Sequence, residues 1–380
     1  MGYAAVKGGL DAILAAEDLV ARMRVDDASP WVGEEQLIGR LRLAVDRVQG
    51  EGGLASAELA ARAIRQAEGD LIEASLLVRS YRSTLPRLGY TVPTPTSEME
   101  AVRRIVPAFR EPPGRQLLGR TLDYTERLVD FRDEAAARAA LGEPPEIPAD
   151  SGRGGASAEH ALTPGGASAE HALTPGGASA EHALTQPRLA ELLAARGLLA
   201  DRRVDGDPEP VDITRDPVTV PAPRSARLAV MARGETGALV NLWYQGVMGD
   251  RRGAEDITLG EVRVGKLPVT VRHPRTGGAV RVGSVQVTEV EAMSNLNRPD
   301  ENTAVFDIGY GLVLGHNERK AIAMAVLDIA MHRDRARTGL EQNVIATCDG
   351  TDASGFLEHL KLPHYVTFGS QLERKEAMRR

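Results

Sequence analysis

The stretch AVFDIGYGLVLGHNERKAIAMAVLDIAMHR, residues 304–333, combines two kinds of hydrophobic pattern. Its first part, AVFDIGYGLVLG, has the apolar content and the closing glycine of a strand followed by a turn. Its second part, HNERKAIAMAVLDIAMHR, is apolar on nearly every side, which is typical of a buried helix. The stretch therefore predicts a strand, a turn and a core helix near the C-terminal end of the chain.

Further strands are predicted before this stretch, in ALVNLWYQG, GEVRVGKLPVTVRHP and GAVRVGSVQVTEVEA between residues 238 and 292. The last segment alternates valines with polar residues around Gly283, where a bulge is expected. Earlier in the chain, helices are predicted in QLIGRLRLAVDRV, GDLIEASLLVRSYRS, TLDYTERLVDFRDEAAARAAL and RLAELLAARGLL, with Asp70 as a cap and Gly197 as a stop. Helices first and strands later favour an α+β fold. We expect a helical N-terminal region, then a mainly antiparallel β region with a buried C-terminal helix.

A shift in composition divides the chain. Residues 142–187 are rich in Gly, Pro, Ala and Ser, and residues 154–185 contain three tandem copies of GGASAEHALT. The eleven-residue period is too short for a helical repeat unit, so a surface loop is predicted there. The expected organisation is a mainly helical domain over residues 1–141, this linker, and an α+β domain over residues 188–380.

Composition excludes several classes of protein. The net charge is −7 and the chain has one cysteine, Cys348, so a general nucleic-acid coat and an intramolecular disulfide are both excluded. No apolar run reaches the length of a membrane span, and acidic residues interrupt the N-terminal apolar segment where a signal peptide would have its core. We therefore expect a cytoplasmic protein without a membrane or nucleic-acid partner.

The spacing of His359 and His364 in EHLKLPHYV suggests a metal site. Two imidazoles separated by four residues can converge on one ion across a helix end or a turn. Tetrahedral zinc needs three or four protein ligands, so the others would come from elsewhere in the chain or from another subunit. The alternative is a pair of packed or surface histidines.

A phosphate site is a second candidate, at the turn that opens the predicted core helix. A helix N-terminus offers free N–H groups, and Arg319 and Lys320 add positive charge. Glu318 opposes this interpretation unless it binds the magnesium that accompanies a nucleotide. An ordinary helix start with solvated charges is the alternative.

Asp328 is unusual because nearly all of its neighbours in AIAMAVLDIAM are apolar. A carboxylate in such surroundings needs a partner or a shifted pKa. It would stabilise positive charge in a pocket or form a structural pair with an arginine. An N-terminal cluster, Asp46–Arg47 before the glycines of QGEGG, is better explained by helix termination than by nucleotide binding.

Seven segments occur in an order and at a spacing that resemble the PhnI subunits of the bacterial carbon–phosphorus lyase system. The resemblance extends over the chain outside residues 142–187. The segments that carry it are, in chain order, AVKGG, LAVDRVQGEGG, GDLIEASLLVRSYRSTL, QLLGRTLDYTERLVDF, DITRDPVTVPAPRSARL, GYGLVLGHNERKAIAMAVLD and GFLEHLKLPHYVTF.

This resemblance implies an enzyme of phosphonate catabolism. The family replaces the adenine of ATP with methylphosphonate, giving α-D-ribose 1-methylphosphonate 5-triphosphate, and has nucleosidase activity on ATP or GTP when phosphonate is absent. It also implies a divalent metal ion, with zinc expected at His359 and His364, and magnesium bound with ATP. Arg319 and Lys320 are our candidates for phosphate contact, and Asp328 for electrostatic support of the reaction; the resemblance assigns none of these three.

The implied partners are PhnG-, PhnH-, PhnJ- and PhnL-like subunits, a second copy of the chain in a dimer, and an alkylphosphonate substrate. One alternative stays open: a non-catalytic scaffold that contributes metal ligands at the boundary with the radical lyase subunit.

Overall fold

A computed structural model gives the conformation of most of the chain. The residues that it describes are 9–26, 28–112, 114, 116–142, 188–200, 209–249, 257–294, 304–333, 338–361 and 365–380. The predicted repeat loop lies outside them.

Five helices open the chain, and four of them share an apolar core. Val45, Val48, Ile64 and Val78 are buried in this core together with small alanines. Local signals set the helix ends: the Asp70 carboxylate accepts from the backbone N–H groups of the residues two and three positions on, as a helix cap does. The helices are α1 Leu10–Val25, α2 Glu34–Arg40, α3 Arg42–Gly52, α4 Ala57–Gln66 and α5 Leu71–Thr84.

A four-stranded antiparallel sheet follows, with the strands in the order β1-β2-β3-β4. The second and third strands form a long hairpin. Its register shifts where Val269 pairs with Gly283 and Thr270 with Arg281, which leaves one extra residue beside the glycine and confirms the predicted bulge. The strands are β1 Glu100–Ile105, β2 Thr258–Arg272, β3 Ala279–Met293 and β4 Ile308–Leu314.

The described residues form eight further α-helices. The described helices include none that is long and apolar enough to cross a membrane. In chain order they are α6 Glu134–Leu141, α7 Leu189–Ala195, α8 Arg224–Arg233, α9 Thr236–Gly249, α10 Glu318–Arg333, α11 Thr338–Thr347, α12 Gly350–His359 and α13 Tyr365–Ala377.

Helix α10 lies directly on β4, as the core helix predicted from sequence. A Cβ on Gly309 would lie 1.9 Å from the Ala325 carbonyl oxygen, and one on Gly311 would lie 2.1 Å from that of Ala321. These glycines let the helix backbone approach the strand more closely than any side chain would allow. The main core forms around this contact and includes Met231, Leu239, Val262, Val290, Val313, Met324 and Leu327.

The α+β class, the helical N-terminal region and the antiparallel sheet are confirmed, but two segment predictions are wrong. ALVNLWYQG is part of α9 and not a strand: Leu239 and Leu242 are buried at helical spacing, and the Glu235 carboxylate accepts from the N–H groups of Gly237 and Ala238 at 2.6 Å each. A short apolar run fits both periods, and the cap that decides between them lies outside it.

The second wrong prediction is the helix in TLDYTERLVDF. Residues 121–133 have no regular secondary structure, and the helix begins only at Glu134. Leu128, Val129 and Phe131 are exposed, at 78%, 74% and 92%. A helix of this length is marginal in water unless one face packs, and in this segment no face does.

The sheet also joins the two domains expected from sequence. Strand β1 belongs to the N-terminal region, yet it pairs with β2, with Arg104 opposite Arg263 and Ile105 opposite Val262. Residues from both sides of the expected linker thus form one sheet. The domain boundaries themselves remain a prediction.

The close contact between β4 and α10 gives a first prediction. Gly309→Ala should lower the free energy of unfolding by about 2–3 kcal/mol, because its Cβ would overlap the Ala325 carbonyl oxygen and force the helix away. Urea unfolding followed by far-UV circular dichroism measures this.

Gly283→Ala in β3 is the matched control, because a Cβ there meets nothing within 4 Å. We expect it to change the free energy of unfolding by less than about 0.5 kcal/mol. Equal stability of the two variants would contradict the packing argument.

Candidate functional site

The turn between β4 and α10 packs against α3. Gly315, at the turn, has a φ of +78°, and a Cβ there would lie 2.8 Å from the Asp46 carbonyl oxygen. A Cβ on Gly50 would lie 2.8 Å from the Leu314 carbonyl oxygen. The segments LAVDRVQGEGG and GYGLVLGHNERKA, distant in sequence, therefore lie side by side.

A partly desolvated carboxyl group marks this contact. Asp46 Oδ2 accepts from Gln286 Nε2 at 2.9 Å and from the His316 backbone N–H at 3.1 Å. Burial raises the pKa of Asp46 above its ordinary value, because desolvation outweighs these hydrogen bonds. Beside it, one guanidinium nitrogen of Arg42 lies 2.9 Å from His316 Nδ1. The turn thus brings a carboxyl group that holds its proton more readily than usual close to an imidazole and a guanidinium.

A second carboxylate, that of Glu51, is completely buried. Its Oε1 accepts from Arg47 Nε at 2.9 Å and from the backbone N–H and hydroxyl of Thr236 at 2.9 and 2.6 Å. Arg47 also pairs with Glu235, the cap of α9, and Asn317 donates to the Thr236 hydroxyl at 2.8 Å. We call these residues, together with Asp46 and Lys320, the junction cluster. It joins α3, α9 and the start of α10.

The structure separates the two residues predicted to contact phosphate. Arg319 is exposed, whereas Lys320 is 1% exposed and its Nζ donates to the Ala232 carbonyl oxygen at 2.6 Å. Burial lowers the pKa of Lys320 to about 8, although attraction by Glu51 opposes the shift. Arg319 and Lys320 therefore do not share one face, and their contact with phosphate stays a prediction.

The turn offers fewer free donors than the sequence suggested. The His316 N–H is held by Asp46, the Asn317 N–H donates to the Thr288 hydroxyl at 3.0 Å, and the Lys320 N–H donates to the Asn317 side chain at 3.2 Å. Since these N–H groups bond within the protein, the described turn matches an ordinary capped helix start more closely than an open phosphate cradle.

Asp328 is completely buried and is paired with an arginine. The guanidinium of Arg224 donates to its carboxylate, with a shortest distance of 2.5 Å, and the Tyr310 backbone N–H donates at 3.1 Å. This is the geometry of the structural alternative, and it leaves the carboxylate away from solvent. A part in catalysis remains a prediction.

The two histidines of the metal prediction are not placed. His359 is the last residue of α12, and its side chain is not described; His364 lies outside the described residues. Within the part of the chain that the structure describes, no group of three or more His, Cys, Asp or Glu side chains could hold a metal ion.

Sequence reasoning missed a buried charged layer on the sheet face opposite α10. On β2 and β3, Glu261 opposes Glu291 and Arg263 opposes Glu289, and all four are at most 6% exposed. Arg104 Nε donates to Glu261 at 2.7 Å. Charged residues at every second position, in GEVRV and TEVEA, were the signal that could have revealed it.

The carboxylates of this layer differ in pKa. Burial pushes the pKa of Glu289 upward, but attraction by Arg263 and hydrogen bonds outweigh burial, and the pKa ends below its ordinary value. Burial and repulsion by Glu289 and Glu261 raise the pKa of Glu291 to about 7, against attraction by Arg188 and a hydrogen bond from the Ala190 N–H. Glu291 therefore takes up a proton near neutral pH.

This difference predicts a pH dependence of stability. Since the folded protein disfavours the charged form of Glu291, its ionisation lowers the free energy of unfolding as pH rises from 4.5 to about 7. Glu291→Gln removes this effect. Relative to the unsubstituted chain, the variant should gain stability between pH 5 and pH 8, by at most about 3 kcal/mol.

Urea unfolding at several pH values measures the gain. Glu289→Gln is the contrast, because its charged form is favoured in the fold, so this variant should lose stability at neutral pH. A stability difference for Glu291→Gln that is constant from pH 5 to pH 8 would contradict the prediction.

Comparison with known proteins assigns the chain to a family. Residues 2–380 match the family model described as "Bacterial phosphonate metabolism protein (PhnI)". The chain is 37% identical to a Rhizobium meliloti protein and 39% identical to an Escherichia coli protein, both named alpha-D-ribose 1-methylphosphonate 5-triphosphate synthase subunit PhnI. It is also 39% identical to a Stutzerimonas stutzeri protein named putative C-P lyase subunit protein HtxH.

These alignments include 98–100% of this chain and 95–96% of each relative. The resemblance read from the seven sequence segments is thereby confirmed, and three of them, in α3, α5 and the β4–α10 region, meet at or beside the junction cluster: Arg79 and Ser75 of α5 both hydrogen-bond to Glu51. The chain belongs to the PhnI family of bacterial phosphonate metabolism proteins.

Proposed function

We propose that this chain is the subunit of an α-D-ribose 1-methylphosphonate 5-triphosphate synthase that replaces the adenine of ATP with methylphosphonate. The observation that carries the proposal is the match, over almost the full length of both chains, to two relatives that bear this enzyme's name. In the reaction the C1′–N9 bond breaks, a phosphonate oxygen bonds to C1′, and adenine leaves with a proton. Without phosphonate, water takes its place and the chain acts as a nucleosidase on ATP or GTP.

Such a reaction needs a proton donor for the departing base and cations for the phosphates. In this proposal Arg319, exposed at the start of α10, contacts the triphosphate. The neighbouring carboxylate of Glu318 would repel a phosphate, but its pairing with the Arg103 guanidinium weakens this repulsion. Magnesium accompanies ATP as its counter-ion.

Two of the predicted site residues enter the proposal as positioning residues. Asp328 holds the partly exposed guanidinium of Arg224, and Lys320 fixes the start of α10 to α8 through the Ala232 carbonyl oxygen. Neither side chain reaches the surface. Both act on the reaction through the groups that they hold.

The partners in this proposal are PhnG-, PhnH-, PhnJ- and PhnL-like subunits and a second copy of the chain. The relatives' names describe subunits, so activity is expected to depend on an assembly.

A second candidate is a scaffold role in which His359 and His364 bind zinc at the boundary with another subunit. One observation favours it: α12, which ends at His359, is anchored by Arg79, whose guanidinium donates to Asp349 at 2.8 Å. Two imidazole nitrogens suit zinc but leave its coordination incomplete, so a partner would supply further ligands.

Adenine release tests the proposed function. We expect the chain, with its partner subunits, to release adenine from ATP and, with methylphosphonate present, to form the ribose methylphosphonate triphosphate in equal amount. Liquid chromatography with mass spectrometry measures both products. Absence of adenine release from every combination of subunits would overturn the catalytic proposal.

His359→Ala with His364→Ala separates the two candidates. If the chain is only a scaffold, this double variant should fail to bind zinc and to assemble, and another subunit should release adenine from ATP without this chain. If the chain is catalytic, no combination of subunits that lacks this chain should release adenine.

Arg319→Gln tests the phosphate contact. Loss of one charge-assisted hydrogen bond should raise the Michaelis constant for ATP about tenfold and leave the turnover number nearly unchanged. Steady-state kinetics of adenine release measures both constants. Arg22→Gln is the control, because Arg22 is exposed on α1 and pairs with Asp18; an unchanged Michaelis constant for Arg319→Gln would remove the contact from the proposal.

A further inference from the structure

The β2–β3 hairpin extends beyond its neighbouring strands. Strand β1 pairs with β2 only up to Lys266, and β4 pairs with β3 only from Val287 onward. The distal part, residues 267–285, is a two-stranded ribbon that we call the β-arm. Beside it, the described chain contributes a bridge from Thr91 to Val271 and a hydrogen bond from Val92. Residues 272–284 are exposed throughout.

The β-arm is cationic in an acidic protein. Its nineteen residues include three arginines and a histidine and no Asp or Glu, so its formal charge is +3. The whole chain carries −7, which leaves −10 for the remainder. No ion pair within the described residues involves Arg272, Arg275 or Arg281. The positive field of the β-arm is therefore not neutralised by the described part of the chain.

The strand register places two of these arginines on the same face. Arg272 pairs with Ala279 and Thr270 pairs with Arg281, so Arg272 and Arg281 are diagonal neighbours. Like charges at such positions repel each other when no anion lies between them. The opposite face carries the Val271–Val280 pair, and Val280 and Val282 are 43% and 60% exposed. The ribbon thus has a cationic face and an apolar face, and no strand of the described part of the chain pairs with the outer edge of β3 between residues 279 and 285.

We propose that the β-arm is a docking surface for a partner protein that presents a carboxylate-lined surface. The three arginines supply the charge complementarity, and the exposed valines supply apolar area to bury. A nucleic acid fits less well, because three cations on a chain of net charge −7 give a weak field and the valines would gain no partner. The inference rests on the proposed function, which expects other subunits to bind this chain.

Edge protection is the competing explanation, because exposed strands often carry charges and bulges that prevent aggregation. The two explanations differ in how they depend on the sign of the charge. Edge protection works with charged side chains of either sign. Docking on carboxylates requires positive ones.

The test is therefore charge reversal and not neutralisation. The triple variant Arg272→Glu, Arg275→Glu and Arg281→Glu is prepared in the full chain. The control has the same change in net charge and combines Arg374→Glu and Lys375→Glu on exposed α13 with Arg379→Glu in the exposed turn after it. Biolayer interferometry measures binding of each chain to the purified companion subunits of the same synthase. The measurement is made at about 50 and about 300 mM salt, because higher salt screens attraction between exposed charges.

We expect the β-arm variant to bind one subunit at least tenfold more weakly than the unsubstituted chain at low salt, with a smaller difference at high salt, and the α13 control to bind normally. Unchanged binding by the β-arm variant would overturn the inference in favour of edge protection. Equal loss in both variants would overturn it in favour of a general charge effect. A labelled oligonucleotide that binds the unsubstituted chain but not the β-arm variant, with subunit binding intact, would overturn it in favour of nucleic acid.

Adenine release by the assembled subunits distinguishes this inference from the proposed function. If assembly depends on the β-arm but no adenine is released, only the catalytic proposal fails. If adenine is released by an assembly that forms equally well with the β-arm variant, only the docking proposal fails.

Discussion

The carboxylate of Glu51 has no access to water, and α3, α9 and the start of α10 meet where its hydrogen-bond partners lie. A buried charge without hydrogen bonds would destabilise the fold by about several kcal/mol, so the fold must keep its hydrogen-bond partners within reach. Arg47 supplies one from the same helix, and Thr236 supplies two from the start of α9. Asn317, which caps α10, bonds to the same threonine. The Glu51 carboxylate therefore links α3 to the start of α9 and, through Thr236 and Asn317, to α10, in addition to the contact of Asp46 with the β4–α10 turn.

The sheet also buries charged side chains, in larger number. Its face toward α10 is apolar, and glycines in β4 let that helix approach closely. Its other face buries glutamates and arginines in nearly equal number, so that most charges have a partner of opposite sign. Glu291 pairs with Arg188 as well, but burial and repulsion by two nearby glutamates outweigh this attraction and raise its pKa to about 7. A sheet with charged residues on one face can be buried only when these pairings are met.

These constraints bear on function through position. Three of the seven segments that carry the family resemblance meet where α3, α5 and the start of α10 come together, which concentrates a carboxyl group of raised pKa, an imidazole and several cations in one region. The β-arm is the distal end of the β2–β3 hairpin, and its surface is cationic and exposed. A reaction at the first region and a partner at the second are compatible with a subunit of a larger assembly.

Local interactions explain which elements were predictable. The cap at Asp70, the stop at Gly197, the bulge at Gly283 and the core helix depend on residues within a few positions of one another or on one regular period. Strand β1, with the sequence EAVRRI, was missed because Arg103 and Arg104 make sense in a buried strand only beside Glu318 and Glu261. No local pattern reveals such partners.

The sequence by itself determined the fold class, the family and the periods of most helices and strands. Tertiary structure alone decided the surroundings of the candidate site residues. Arg319 and Lys320 are adjacent in sequence, yet one is exposed and the other enclosed, because a helix turns about 100° per residue and the core lies on one side. Asp328 meets an arginine 104 residues away. Charge and hydrophobicity are properties of a residue, whereas burial and pairing are properties of the fold around it.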